Sequence, residues 1–161
     1  MKLGVFCKLY YTTSTRASWG TVDETTGLNS GVAPTLTEAD VQEVTTEVSD
    51  TELDATTRVG NGWGLVMQGL HKSGLTFKVP ANESNAFYVA FLKAMFTRTS
   101  IALAALDGDK GTTAVEGLWA DCVVIGMSRP EPIDGVVWID FTCKPTPSAV
   151  PPQWVIVAAG A

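Results

Sequence analysis

The sequence predicts a mainly β fold: an antiparallel β-sandwich or barrel of two packed sheets, flanked by one α-helix. Most apolar residues recur at every second position, in runs of strand length bounded by Gly, Pro, Asn and Asp. One segment, 84–98, instead spaces its aromatic and aliphatic residues four apart, which is the period of a helix. A length of 161 residues is enough for one domain with its own core.

Seven runs have the composition of strands, being rich in the β-branched and aromatic residues that favour a pleated surface. The third and fourth runs are so close together that they predict an antiparallel hairpin. Its turn is expected near Gly69 and Gly74, and Gly62 and Trp63 begin its first strand. The seven runs occupy 4–12, 41–49, 62–70, 74–79, 100–106, 117–128 and 135–145.

The segment 84–98 is predicted to be an amphipathic helix that packs on a sheet. Lys93 and Thr97 lie opposite its apolar face. Pro80 ends the preceding strand, and Asn82 or Ser84 is expected to cap the first amides of the helix. The predicted core face consists of Phe87, Phe91, Leu92 and Met95.

Two segments lack a core pattern. Residues 18–39 are rich in Gly, Thr, Ser and Asn, which predicts a long loop. Residues 145–152 contain four prolines, which favours an extended arm over a core strand. The predicted organisation is therefore one β domain at 1–145, with a long loop at 18–39, and a C-terminal arm at 146–161. Both the loop and the arm are expected to become ordered against a partner.

The charge is low and unevenly distributed. Charged residues make up only 17% of the chain, which suggests that partners cover much of its surface. The net charge of −6 argues against a protein that grips nucleic acid through its phosphates. Nine acids and no Lys or Arg lie between residues 23 and 54. Such a run forms either a solvated loop and strand face or a surface that repels a polyanion.

The residues that support catalysis are nearly absent. The only histidine, His71, lies at the predicted turn, where an exposed side chain is expected. Cys7, Cys122 and Cys143 lie in strand-like runs and are expected to be buried and reduced. No Cys or His pair has zinc-ligand spacing, and no stretch matches a calcium, phosphate or dinucleotide loop. We therefore expect no enzyme activity, no metal and no cofactor. No run approaches the length of a membrane span.

An ordered series of motifs resembles the tail tube (major tail) proteins of long-tailed bacteriophages, prophages and gene transfer agents. The series covers most of 7–145 and differs from the family pattern in having Ala55 between the acid Asp54 and "TTR". Its pieces are "KLYYTT", "ELDATTR", "NGW", "GLHKSGLTF", the helix, "LDGDKGTTAVEGLWADCVV" and "VVWIDFTCKP".

The resemblance implies hexameric rings that stack into a hollow tube through which DNA leaves the capsid. The implied partners are copies of the chain itself, together with tape-measure, tail-terminator and baseplate or tip proteins. DNA would be passing cargo, with no membrane contact and no cofactor. The implied location is the virion tail, assembled in the cytoplasm of a bacterial host.

Residue roles follow from the same resemblance. Glu43 and Glu47 are candidate acids of the channel wall, where they would repel phosphates. The candidate subunit-contact motif consists of Asp54, Thr56, Thr57 and Arg58.

Two other functions fit the sequence. The tube protein of a bacterial injection or secretion machine would share this fold. A monomeric β-sandwich could instead bind carbohydrate or another ligand through Trp19, Trp63 and Trp119, provided that these side chains are exposed.

Overall fold

The computed structural model describes residues 7–14, 16–54 and 66–159. Within them the chain forms ten strands and one helix. The strands are β1 (Lys8–Thr12), β2 (Thr21–Val22), β3 (Asn29–Gly31), β4 (Thr37–Glu38), β5 (Gln42–Asp54), β6 (Val66–Pro80), β7 (Ile101–Leu106), β8 (Glu116–Ser128), β9 (Trp138–Pro145) and β10 (Gln153–Val157), and the helix is α1 (Ala86–Thr97).

All ten strands join in one open hydrogen-bonded sheet that divides into two layers. The first layer has the order β2-β3-β10-β8-β7-β1-β4, and the second has the order β5-β6-β9-β8. β8 belongs to both layers, because its residues 117–122 pair with β7 and its residues 122–128 pair with β9. The pairings are antiparallel except for that of β3 with β10.

The main core lies between these two layers and α1. It contains alternate residues of β1, β7 and β8 from the first layer and of β6 and β9 from the second. Aromatic rings link the second layer to the helix: Phe77 lies within 6.1 Å, centroid to centroid, of Phe87, Phe91 and Phe141. The predicted mainly β sandwich with one flanking helix is confirmed, and its sheet is open.

A second core covers the other face of the first layer. All six residues of β7 are buried, because Leu103 and its alternates face the main core while Ala102 and Ala104 face the second one. The second core is closed by Trp19, which packs edge-on against Trp119 at 5.7 Å, and by Val155 of β10.

This second core corrects the prediction for the two segments without a core pattern. Residues 18–39 contain β2, β3 and β4, and they bury Trp19 and Leu36. The assignment of the whole tail to an extended arm is wrong for Gln153–Val157, which forms β10 between β3 and β8. The prolines at 145–152 connect two strands. The division of the chain at residue 145 stays a prediction.

The predicted hairpin turn near Gly69 is also wrong. Val66–Pro80 is one continuous strand, and Gly69, His71 and Gly74 lie within it. The pairing of β5 with β6 shifts register between Asp50 and Glu52, opposite Gly69. A Cβ on Gly69 would lie 2.3 Å from Oγ1 and 2.6 Å from the carbonyl oxygen of Thr51. Glycine is therefore required by a β-bulge, not by a turn.

The helix is capped by Asn85, one position after Ser84 and three after Asn82, the two predicted caps. The side chain of Asn85 accepts hydrogen bonds from the amides of Phe87 and Tyr88, whereas that of Asn82 accepts from Ser84. Phe87 and Phe91 are buried in the main core, and Leu92 and Met95 are half-buried. Arg98 ends the helix in the left-handed conformation at φ 57°.

Candidate assembly surfaces

β5 is a long strand at the edge of the second layer. It extends over 13 residues and, among the described strands, pairs only with β6. Its outer edge therefore carries a row of backbone N–H and C=O groups without a strand partner. Such an edge binds another strand unless charge, a bulge or a covering segment prevents it.

The second layer also has an exposed edge on β8. β7 pairs with β8 only as far as Cys122, and β9 occupies the opposite side of residues 122–128. The side of residues 123–128 that faces away from β9 is therefore open among the described strands. Among the described strands, the second layer thus ends in two open edges, β5 and the second half of β8.

The outward face of the second layer carries both signs of charge. Strand alternation places Phe77 in the core and Lys78 on this outward face. Across the strands, Lys78 forms an ion pair with Glu43, with 2.5 Å between Nζ and Oε2. This hydrogen bond raises the pKa of Lys78. By the same alternation the charged residues of this face are Glu43, Glu47, Lys72, Lys78, Asp140 and Lys144.

The two candidate channel acids differ in their surroundings. Glu43 lies in a bulge of β5 at φ 52°, and its carboxylate is neutralised by Lys78. Glu47 lies opposite Gly74 and is exposed. The three acids and three lysines that alternation places on this face balance, so its strands carry no net charge there.

The far end of the β5–β6 pair carries apolar residues in an exposed position. Val48, Leu53 and Leu70 are each more than half exposed. Between them Asp50 forms an ion pair with His71 and accepts a hydrogen bond from Gln68. His71 is thus exposed as expected, although it lies in a strand.

The predicted subunit-contact motif lies mostly outside the described residues. Asp54 ends β5. Thr56, Thr57, Arg58, Gly62 and Trp63 lie outside the residues that the structure describes. Their roles stay predictions.

Sequence reasoning missed the buried cation Arg16. Its guanidinium donates to the carbonyl oxygens of Trp119 at 2.9 Å and Pro151 at 3.0 Å, and its Nε lies 3.5 Å from Oδ2 of Asp121. Burial lowers its pKa. Arg16 therefore fixes the proline-rich connection to β8. No periodic pattern marks it, because all of its partners are distant in sequence.

The tryptophans do not support a ligand-binding surface. Trp19 and Trp119 are buried in the second core, which contradicts their use as exposed stacking platforms. Trp63 lies outside the described residues. The expectation that all three cysteines are buried is wrong for Cys7, which is exposed, whereas Cys122 and Cys143 are buried.

Within the part of the chain that the structure describes, no three His, Cys, Asp or Glu side chains are grouped so that they could hold a metal ion. No helix in that part has the length and apolar character needed to cross a membrane.

Comparison with known proteins gives matches in fold. No family model matches the chain, and no curated protein matches it in sequence. A chain of the native gene transfer agent virion matches with a TM-score of 0.60 at 8% identity, over 76% of this chain and 89% of that one. The SPP1 tail tube matches with a TM-score of 0.61 at 10% identity, over 89% of this chain and 75% of that one.

A third match is a chain of the anti-feeding prophage baseplate, with a TM-score of 0.52 at 4% identity, over 97% of this chain and 93% of that one. At these identities the likeness concerns the fold. Together with the open two-layered sheet and its single helix, these matches show that the chain has the fold of a phage tail tube protein.

Proposed function

We propose that this chain is a structural subunit of a tail tube, whose copies form hexameric rings that stack around a channel for DNA. The observation that carries the proposal is the second layer, which ends in two open edges among the described strands of a tail-tube-like fold. Its partners would be further copies of the chain and the tape-measure, terminator and baseplate or tip proteins of a virion tail. It would have no catalytic role.

Ring closure follows from the two open edges. In the proposed ring, β5 of one copy pairs with residues 123–128 of the next, so that the second layers form one continuous closed sheet. The geometry is heterologous, since different surfaces meet, and such contacts close into a ring when the rotation between copies allows it. Closure also removes the exposed edge of β5, which is a liability in a free subunit.

The outward face of the second layer is the proposed wall of the channel. The acids and lysines of its strands balance. DNA is held by proteins that neutralise several phosphates and release their counterions. A face without net charge does not do so, and DNA therefore passes as cargo. Glu43 and Glu47 would lie on this wall.

Electron microscopy of the purified protein at rising concentration tests the proposal. The expected result is rings and tubes of uniform diameter with a central channel. A Gln42→Pro, Thr46→Pro variant would remove two backbone donors from β5, while a variant with proline at the loop position Ser148 serves as the control. Loss of rings only in the β5 variant supports edge pairing. A wild-type protein that stays monomeric at every concentration, even with tail partners supplied, contradicts the proposed function.

A second candidate is the tube protein of a bacterial injection machine. The match to a chain of the anti-feeding prophage baseplate favours it. The two candidates share the proposed ring and differ in cargo. Genes for a capsid and a DNA-packaging motor beside this gene would support a virion tail, whereas their replacement by toxin genes would support the injection machine.

A further inference from the structure

The helix α1 has an apolar outer surface in addition to its core face. Lys93 is its only charged residue. Phe87 and Phe91 lie in the main core, whereas Phe96 is 72% exposed. A helix that is apolar on all sides is normally buried on all sides. The surface around Phe96 therefore lacks a cover among the described residues.

Phe96 lies on the flank of α1 that faces away from the first layer. It follows Leu92 by one helical turn, so the two side chains share a flank, and Leu92 packs against the main core. The opposite flank, which includes Ala90 and Ala94, lines a groove next to Ile101 at the start of β7. Because β7 belongs to the first layer, Phe96 is on the side of the helix that adjoins the second layer.

The helix crosses the second layer towards the open edge of β8. Phe77 of β6 lies 5.8 Å from Phe87 and 5.2 Å from Phe91, centroid to centroid. Phe91 also lies 5.1 Å from Phe141 of β9. A helical turn rises about 5.4 Å and neighbouring strands lie about 4.8 Å apart, so one turn advances the helix by about one strand. The last turn, which carries Phe96, therefore reaches β8.

The chain that follows the helix agrees with this position. The cap Arg98 is followed closely by Ile101, which begins β7 and pairs with Cys122. The open half of β8 follows Cys122 directly. Met127 in this half pairs with the core residue Phe141, yet it is 38% exposed. The end of α1 thus flanks a sheet edge that is incompletely covered on its core side.

The core side of β5 carries a matching exposed residue. Thr46 pairs with the core residue Leu75, so strand alternation places Val48 on the core side as well, and Val48 is 53% exposed. Each pairing from β5 through β6 and β9 to β8 is antiparallel, so β5 and β8 run in opposite directions. In the proposed ring, β5 of the next copy is therefore an antiparallel neighbour of β8, and Val48 lies on the same side of the sheet as α1.

The charges of the two surfaces are complementary. β5 contains five acids and no Lys or Arg, and two of the acids, Glu43 and Asp50, are paired within the copy. The helix and its cap contain no acid and two cations, Lys93 and Arg98. Glu83 precedes the first turn of a helix about 18 Å long, so it lies at the other end. A cationic helix end favours the acidic strand β5 as its neighbour.

We propose that the end of α1 packs on β5 of the next copy, with Phe96 against Val48 on the core side of the continuing sheet. The occupant is a second copy of this chain. The proposal rests on the edge pairing in the proposed function and adds a side-chain contact that joins the main cores of neighbouring copies.

Disulfide trapping between copies tests the contact directly. In a Cys7→Ser background, a Phe96→Cys protein is mixed with a Val48→Cys protein under mild oxidation. The expected product is a mixed dimer, in several-fold excess over that from Phe96→Cys mixed with Glu47→Cys. Glu47 is the matched control, because it is exposed and adjacent to Val48 but lies on the outward face. Equal yields in the two mixtures would overturn the proposal.

Assembly measurements provide a second test. Phe96→Ala should raise the concentration at which assembly begins by about tenfold or more, because it removes an aromatic ring that the contact would bury. The variant subunit should stay folded, since Phe96 is exposed in it. Val22→Ala is the control, because Val22 is similarly exposed but lies on β2 in the first layer. An unchanged concentration for Phe96→Ala would contradict the contact.

The outcomes separate the two proposals. Tubes that form without the trapped dimer, and that tolerate Phe96→Ala, would refute the helix contact and leave the proposed function standing. A trapped dimer without rings or tubes under any condition would support the contact and refute the tube. A protein that yields neither the dimer nor rings would refute both.

Discussion

Glu43 and Lys78 form an ion pair across β5 and β6, with 2.5 Å between the carboxylate and ammonium groups. The two residues are 35 positions apart in sequence, so no local sequence pattern predicts this contact. It changes the expected electrostatics of the proposed channel wall, because one of its two candidate acids is already neutralised. Replacement of Glu47 should therefore have a clearer effect on DNA passage than replacement of Glu43.

Glu47→Lys should make the proposed channel retain DNA. The change adds two positive charges to a face without net charge, and each new phosphate contact releases counterions. Particles carrying it are expected to assemble normally but to eject DNA poorly at low salt and better at high salt. The matched control is Glu24→Lys, which makes the same charge change on the other layer. Normal ejection by Glu47→Lys at low salt would place this face away from the channel.

Phe91→Ala should destabilise the isolated subunit by about 3–5 kcal/mol, because it leaves a cavity at a fully buried position. Phe96→Ala on the same helix should cost less than about 1 kcal/mol in a subunit, since Phe96 is exposed. Urea denaturation of the two variants measures the difference. Similar losses for both would mean that Phe96 is also packed in the free protein.

Gly69→Ala should destabilise the β5–β6 pair by about 1–3 kcal/mol, because the added Cβ collides with Thr51 at the bulge. Gly74→Ala is the control, since its Cβ would meet only the carbonyl oxygen of Cys143 at an ordinary 3.7 Å. Hydrogen exchange of β6 amides should accelerate in the first variant alone. Equal exchange in both would show that the bulge accommodates a side chain.

Arg16→Leu should loosen the C-terminal strand, because the substitution removes the donors to Trp119 and Pro151 and leaves Asp121 without its buried partner. Breaking a buried ion pair on one side typically costs about 3–5 kcal/mol. Amides of 153–157 should lose protection more than those of β9. An Arg16→Leu, Asp121→Leu variant should recover part of the stability, which separates the unpaired charge from the lost hydrogen bonds.

Thiol labelling should distinguish the three cysteines. Cys7 is exposed and should react in the native protein at pH 8. Burial raises the pKa of Cys122 to about 12 and that of Cys143 further, so both stay protonated and shielded. The expected result is one labelled thiol in the native state and three after denaturation. Rapid labelling of more than one native thiol would contradict the packing of β8 and β9.

The sequence by itself determined the fold class, the single helix and most of the strands, because periodicity records which side of an element is buried. It also indicated the shortage of catalytic groups and the acidic run that contains β5. These are local properties, and a few neighbouring residues are enough to show them.

Only the tertiary structure decided the features that depend on contacts between residues distant in the chain. Gly69, His71 and Gly74 have turn composition, yet pairing with β5 holds them in one continuous strand. The prolines at 145–152 led to the prediction of an extended arm where β10 lies. The side chain of Val155 in β10 is buried in the same core as Trp19 and Trp119. The neutralised Glu43, the buried Arg16 and the two open edges of the second layer likewise arise from contacts that fold the chain back on itself. Periodicity within one segment carries no record of such contacts, since it reports burial and not the identity of the partner.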